Sequence, residues 1–279
     1  MHIPAFLVRP LLVFLVLGVF FHLLERFFGC RPQARFFRRG WMSDALYLIS
    51  APVVKVFVKA SVVVPALLLT AVGVASPENF RSELYAGFGP LSRQPLWIQT
   101  LEIYLLVDLS GYWIHRFFHA RTLWPFHAVH HSSEELDWLA SLRVHPFNEL
   151  TNRVAQVTPV LLLGLNPVIT LASAPFLTLY AIGLHANFNW DFGPLRAVLP
   201  SPVFHRWHHS RSAEAMDKNF AGLLPLWDVL FGTYYMPRDR FPDDFGTHES
   251  VPQNFWAQMV YPVRAMRSAE APRSSAAAP

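Results

Sequence analysis

Four long apolar stretches constrain this chain before anything else, because about 20 consecutive apolar residues need either a bilayer or a large core to cover them. The first runs from Ala5 to Leu24 and is followed by Glu25-Arg26. It lacks the basic n-region and small-residue cleavage site of a secretory signal, so it predicts a membrane anchor, with Arg9 able to snorkel to the headgroups. The second, Ala45 to Ala75, is too long for one perpendicular crossing and is divided by Pro52, Lys55 and Lys59. Its first half is expected along the interface and Val56 to Ala75 across the bilayer. The third runs from Leu96 to Ile114, ends at His115, and carries Glu102 and Asp108. Ionisable groups inside a span are costly and by default mark function. Composition agrees with a membrane chain: 53 % of residues are hydrophobic and only 15 % charged, against roughly 25 % charged in a soluble domain. That balance argues against a disordered chain and against an ordinary water-soluble enzyme.

The fourth stretch, Val154 to Leu184, is interrupted by Gly164 and by Asn166-Pro167, a strong turn signal. Histidines lie on both sides of it. If they share one site, the segment must return to the side it left, as a hairpin of two half-helices. One long kinked crossing would instead split the histidines across the membrane. The hairpin is the expectation. Positive charge orients the rest. The loop from Glu25 to Ser43 holds Arg26, Arg31, Arg35, Arg38 and Arg39, whereas the loop from Ser76 to Pro95 offsets two arginines with Glu78 and Glu83. The first loop is therefore expected in the cytoplasm, the amino terminus outside, and everything after His115 on the cytoplasmic side. The fold predicted is an all-α integral membrane protein, with about three spanning helices plus a helical hairpin under a cytoplasmic histidine-rich helical cap. Three parts are expected: anchoring helices and loops over 1–95, a catalytic domain over 96–237, and an extension over 238–279. The Ala/Ser/Pro tail Ser268–Pro279 has nothing to bury and is expected to be disordered.

Ten of the 13 histidines fall between positions 115 and 209. His115 and His119 form H-x-x-x-H, which on a helix places both imidazoles on one face. His127, His130 and His131 form H-x-x-H-H, His205, His208 and His209 form a second, and His185 stands at the end of the hairpin. Each pattern alone has a mundane reading; together on one membrane face they point to metal. Nine imidazoles exceed the ligand capacity of one ion and suit two. The single cysteine, Cys30, excludes a multi-cysteine zinc or iron–sulfur site. No Glu-x-x-His of a ferritin-like site and no H-E-x-x-H of a zincin occurs. Zinc could fill such a site chemically, because affinity order does not favour iron. Asp108 lies seven residues before His115, two helical turns along the same face, where it could accept a hydrogen bond from an imidazole. Helix packing is its other reading. Asp228 is expected to organise the cap, and Trp207 and Trp227 to pack.

These boxes resemble the fatty acid hydroxylase/sterol desaturase superfamily of integral membrane di-iron oxygenases. The matching stretches are DLSGYWIHRFFH (108–119), HAVHHSSEELDWLASLRVHP (127–146), HANFNWDFGP (185–194), HRWHHS (205–210) and NFAGLLPLWDVLFGTYYMP (219–237). The resemblance implies His115, His119, His127, His130, His131, His205, His208 and His209 as metal ligands, with His185 a ninth. Relatives often carry another histidine where this chain has Asn189, which could ligate through oxygen or hold a water. His145, in RVHP, is expected beside the ligands rather than among them.

The cofactors implied are two iron ions, with O2 as co-substrate. The activity implied is hydroxylation of a lipid C–H bond in an acyl chain, ether lipid or sterol-like molecule, with desaturation the rival within the family. Electrons must come from outside, from a ferredoxin or a small haem carrier with its reductase, since no haem, flavin or iron–sulfur signature occurs here. The basic face could dock that carrier or simply contact anionic lipid. The expected location is a bacterial inner membrane, with the site facing the cytoplasm and with lipid, not nucleic acid, as partner. Readings from other classes are a non-redox metal-binding membrane protein and a zinc-dependent lipid hydrolase, whose nearest candidate bases are Glu134 and Glu135.

Overall fold

The computed structural model describes residues 5–30, 37–48 and 86–267, with isolated positions between 56 and 73. Most of the expected second crossing and the whole tail 268–279 lie outside the described residues. Helix α1 spans Ala5–Phe28, about 36 Å at 1.5 Å per residue. Its apolarity is not all directed inward: Leu12, Leu15, Val16 and Val19 are exposed, while Phe21 packs against Trp138, Leu139 and Ile182. Near its end Glu25 is buried and accepts the backbone N–H groups of Trp138 (2.8 Å) and Asn187 (3.0 Å). An apolar helix is thereby held in register by one carboxylate.

Helix α2, Leu96–Phe118, starts after Pro95 and runs unbroken past the expected end at Ile114. Helix α3 is the short Trp124–His131. Helices α4, Pro146–Leu162, and α5, Pro167–His185, form the hairpin. Helix α4 begins eight residues before the expected Val154, because Pro146 presets the first helical turn and His145 caps it, accepting from Phe147 N–H at 3.2 Å. The turn between them depends on Gly164, whose φ is +70° and where a Cβ would sit 2.2 Å from the Phe88 carbonyl oxygen. Asn166 then caps α5 by accepting from Val168 N–H at 2.9 Å.

The turn lies beside the start of α2, where Gln99 Oε1 accepts from Asn166 N–H at 3.3 Å. At the other end, Asn148 of α4 and His185 of α5 both reach the histidines of α3. The chain therefore reverses direction at this turn, and 146–185 is a hairpin of two helices, not one long kinked helix. Ile103, Val107, Val160 and Leu165 form the apolar core between α2 and the hairpin. Among the described residues, two helices are long and apolar enough to cross a membrane: Leu11–Phe28 within α1 and Pro167–His185.

Further helices among the described residues are 41–48, α6 (Pro202–His208), α7 (Leu226–Leu230) and α8 (Phe255–Arg267). The part of the molecule they build, termed the cap for its buried polar groups only, holds several enclosed charges. Asp44 accepts from Arg38 at 2.6 Å and from Arg143 at 2.5 Å, and Arg38 also pairs with Asp137 at 2.6 Å. Helix α8 closes the cap on α3, with Phe255 in one cluster with Tyr47, Ala128 and Val129.

Candidate metal centre

Helix α3 contributes His127, His130 and His131, whose i, i+3 and i+4 spacing turns all three rings to one side. Helix α6 contributes His205 and His208, with His209 at its C-terminal cap; Ser201 caps its start by accepting from Phe204 N–H at 3.1 Å. Helices α2 and α5 supply His115 with His119, and His185, at their adjoining ends. The nine fall into two groups, in each of which the ligand atoms lie within 4.8 Å of one another. One group holds His115, His119, His127, His131 and His208; the other holds His130, His185, His205 and His209. The groups abut, with the rings of His131 and His209 stacked at 4.4 Å. Eight of the nine are buried and His115 is half-buried.

Hydrogen bonds fix which nitrogen faces inward. Nδ1 of His115 donates to Phe220 O (2.8 Å), that of His130 to Arg143 O (2.9 Å), that of His185 to Ala181 O (2.8 Å) and that of His208 to Lys218 O (2.8 Å). A carbonyl can only accept, so each of these rings carries its proton on Nδ1 and leaves Nε2 as a lone pair. His127 Nδ1 bonds Asn148 Oδ1 (2.8 Å), and His119 Nδ1 bonds Asp217 Oδ1 (3.0 Å). His115 Nε2 then faces His127 Nε2 at 3.0 Å, and His130 Nε2 faces His185 Nε2 at 3.1 Å. In neutral rings these are lone pairs pointing at lone pairs, and the crowding continues: His131 Nε2 lies 3.1 Å from His127 Nε2, and His205 Nε2 lies 3.0 Å from His185 Nε2 and 3.1 Å from His209 Nε2. A bound cation would remove the repulsion.

Protonation is the other way to relieve it, and burial opposes that. Desolvation, helped by neighbouring imidazoles, holds His127, His130, His131, His205, His208 and His209 well below the ordinary histidine range. His208 Nε2 is also buried with no protein partner. Neutral, buried, convergent imidazoles fit a pair of metal ions.

The residues expected around the ligands sit differently. Asp108 touches no imidazole: its oxygens accept from Leu223 N–H (2.8 Å), Leu224 N–H (2.8 Å) and Trp227 Nε1 (3.0 Å). It anchors the segment that carries Phe220, so its effect on His115 is indirect. Asn189 is exposed and belongs to neither group. The helical period that would align it with His185 ends at Ala186, where the backbone becomes extended (φ −57°, ψ 152°). His145 turns away to Met259 O (3.3 Å). Asp228 accepts from Phe220 N–H (2.8 Å), Ala221 N–H (2.9 Å) and Thr233 Oγ1 (2.6 Å). Asn148 and Asp217 were not singled out by the sequence, and no local pattern marks either.

The fatty acid hydroxylase family profile matches residues 100–233, a stretch that contains all nine clustered histidines. The chain is 37 % identical over 138 residues to alkylglycerol monooxygenase of Danio rerio, covering 49 % of this chain and 30 % of that protein. It is 34 % identical over 138 residues to the Homo sapiens alkylglycerol monooxygenase, covering 49 % and 31 %. It is 30 % identical over 169 residues to the ornithine lipid hydroxylase OlsE of Rhizobium tropici, covering 60 % and 51 %. The chain thus spans from about a third to about half of the length of these relatives. No solved structure matches it.

Proposed function

We propose that this chain, which belongs to the fatty acid hydroxylase family through residues 100–233, is a membrane-bound di-iron enzyme that hydroxylates a lipid C–H bond with O2. The observation that carries the reading is the convergence of imidazole Nε2 atoms in both histidine groups, with opposed lone pairs at His115–His127 in one and at His130–His185 in the other. Two bound irons would supply dioxygen activation and attack on an unactivated C–H bond, chemistry that no side chain provides. His115, His119, His127, His131 and His208 would hold one ion, and His130, His185, His205 and His209 the other.

The chain's own residues do the rest. Neutral imidazoles leave the ions nearly their full charge. The Nδ1 hydrogen bonds to Phe220, Arg143, Ala181 and Lys218 fix each ring plane before metal arrives. Burial keeps bulk water from the centre. Helix α1, helix α2 and the α4–α5 hairpin form the membrane base, so a lipid reaches the site from the bilayer. The histidines face the cytoplasm, where an external carrier delivers electrons.

Relatives named monooxygenase and hydroxylase favour oxygen insertion over desaturation, and favour an alkylglycerol-type ether lipid or an ornithine lipid as substrate class. A zinc hydrolase needs a general base beside the metal. Glu134 and Glu135 are both exposed, and Glu134 pairs with Arg39 at 3.2 Å.

Lipid mass spectrometry of expressing cells under labelled dioxygen tests the proposal. One labelled oxygen in a new lipid hydroxyl is expected, and His130→Ala abolishes it. A two-hydrogen loss without label supports desaturation instead. No lipid change in an iron-loaded, reductant-supplied preparation overturns both.

A further inference from the structure

Three of the five histidines in the larger group lean on one short segment, Asp217–Phe220. Asp217 Oδ1 bonds His119 Nδ1 at 3.0 Å, Lys218 O accepts from His208 Nδ1 at 2.8 Å, and Phe220 O accepts from His115 Nδ1 at 2.8 Å. Alternating acceptors this closely requires an unusual backbone. Asp217 and Asn219 both have left-handed conformations, with φ 56° and 60°, a region that Asp and Asn tolerate better than other side chains.

The strap is held from behind. Asn219 is fully buried; its Nδ2 donates to Phe204 O (2.9 Å) and Tyr235 O (2.7 Å), and its Oδ1 accepts from Tyr235 N–H (2.7 Å). Asp228 and Asp108 then fix the backbone that follows, at Phe220-Ala221 and Leu223-Leu224.

The smaller group has no counterpart. The Nδ1 atoms of His130 and His185 meet only carbonyls, and that of His209 is buried without a partner. Among the described residues, no carboxylate is hydrogen-bonded to an imidazole of that group. The difference has a chemical consequence. A carboxylate accepting from Nδ1–H shares its negative charge through the ring and makes Nε2 a stronger donor, more than a carbonyl does. Asp217 also faces solvent with about half of its side chain, so it can carry full charge without the penalty of deep burial.

We propose that Asp217, acting through His119, makes the five-histidine position the tighter of the two, so that the metals bind and leave in a fixed order. Asp217 is a positioning residue, and the inference rests on the two-metal reading above. The strap converts one surface carboxylate into unequal affinity at two adjacent positions.

Metal release tests this. The full chain in lipid nanodiscs is loaded with Co(II), the metal is counted, and its loss to excess chelator is followed by visible absorbance. Two ions per chain and two release phases are expected, with His208→Ala removing the slow phase and His205→Ala the fast one. Asp217→Asn keeps the side-chain size, the left-handed preference and an accepting oxygen, and removes only the charge. It is expected to speed the slow phase about 10- to 100-fold, the affinity loss typical of removing such a partner being carried by the release rate, and to leave the fast phase unchanged. Asp217→Ala is expected to be at least as fast. A single phase in the unaltered chain overturns the inference, as does an Asp217→Asn that changes neither phase or both alike. Fewer than two ions per chain overturns the two-metal reading itself, and this inference with it.

Discussion

The helical base and the cap are inside-out versions of each other. In the base, Leu15, Val16, Phe176 and Leu179 of α1 and α5 are 45–66 % exposed. In the cap, Arg38, Asp44, Arg143, Arg206 and Asp228 are no more than 4 % exposed. An apolar exterior suits lipid as solvent. A polar interior serves geometry, because each buried charge must be met by fixed partners and each partner fixes a backbone atom in turn. Arg143 shows the link: its guanidinium is locked by Asp44 while its carbonyl accepts from His130.

Acid should separate the two regions most sharply. Burial depresses the proton affinity of His127, His130, His131, His205, His208 and His209. These rings are neutral when folded, and the unfolded chain protonates them below about pH 6.5. Their stabilising contribution is therefore full above that pH and is lost as pH falls. The slope is about 1.4 kcal/mol per pH unit for each extra proton the unfolded state binds. The metal-free cap is expected to lose its near-ultraviolet circular dichroism between about pH 6.5 and 5, while far-ultraviolet helicity from the base persists. Coincident loss of both signals would break the comparison.

The buried ion triad should give the next largest effect. Asp44→Ala leaves Arg38 and Arg143 buried without their shared carboxylate, a loss of about 3–5 kcal/mol. Thermal unfolding of the detergent-solubilised chain measures it. A change within the range of surface substitutions would mean that apolar packing, not buried charge, holds the cap.

What the sequence made legible follows the same division. The nine histidines and the hairpin were readable because local spacing and the Asn166-Pro167 signal are short-range features. Their partition into five and four was not, since it depends on which helix ends become neighbours. Asp108 shows the limit: periodicity gave its face of α2 but not the Leu223–Trp227 segment packed there, more than a hundred residues away. Arg38 shows another. Counted by sequence with four other arginines as topology-setting charge, it is instead enclosed between Asp44 and Asp137.

The smallest expected effect isolates burial from everything else. Arg38 and Arg39 are neighbours of the same residue type, and each pairs with a carboxylate. The Arg38 side chain is 2 % exposed, whereas Arg39 and its partner Glu134, 3.2 Å apart, are 71 % and 51 % exposed. Water screens the second pair and salt weakens it further, so its loss should cost no more than about 1 kcal/mol. Arg39→Ala is expected to shift the unfolding midpoint only slightly, by an amount that shrinks further at high salt. A cost equal to that of Asp44→Ala would show that the whole Arg38–Asp44 segment, not the enclosure of one guanidinium, docks the amino-terminal part of the chain onto the cap. A negligible cost beside a large one assigns the difference to desolvated charge alone.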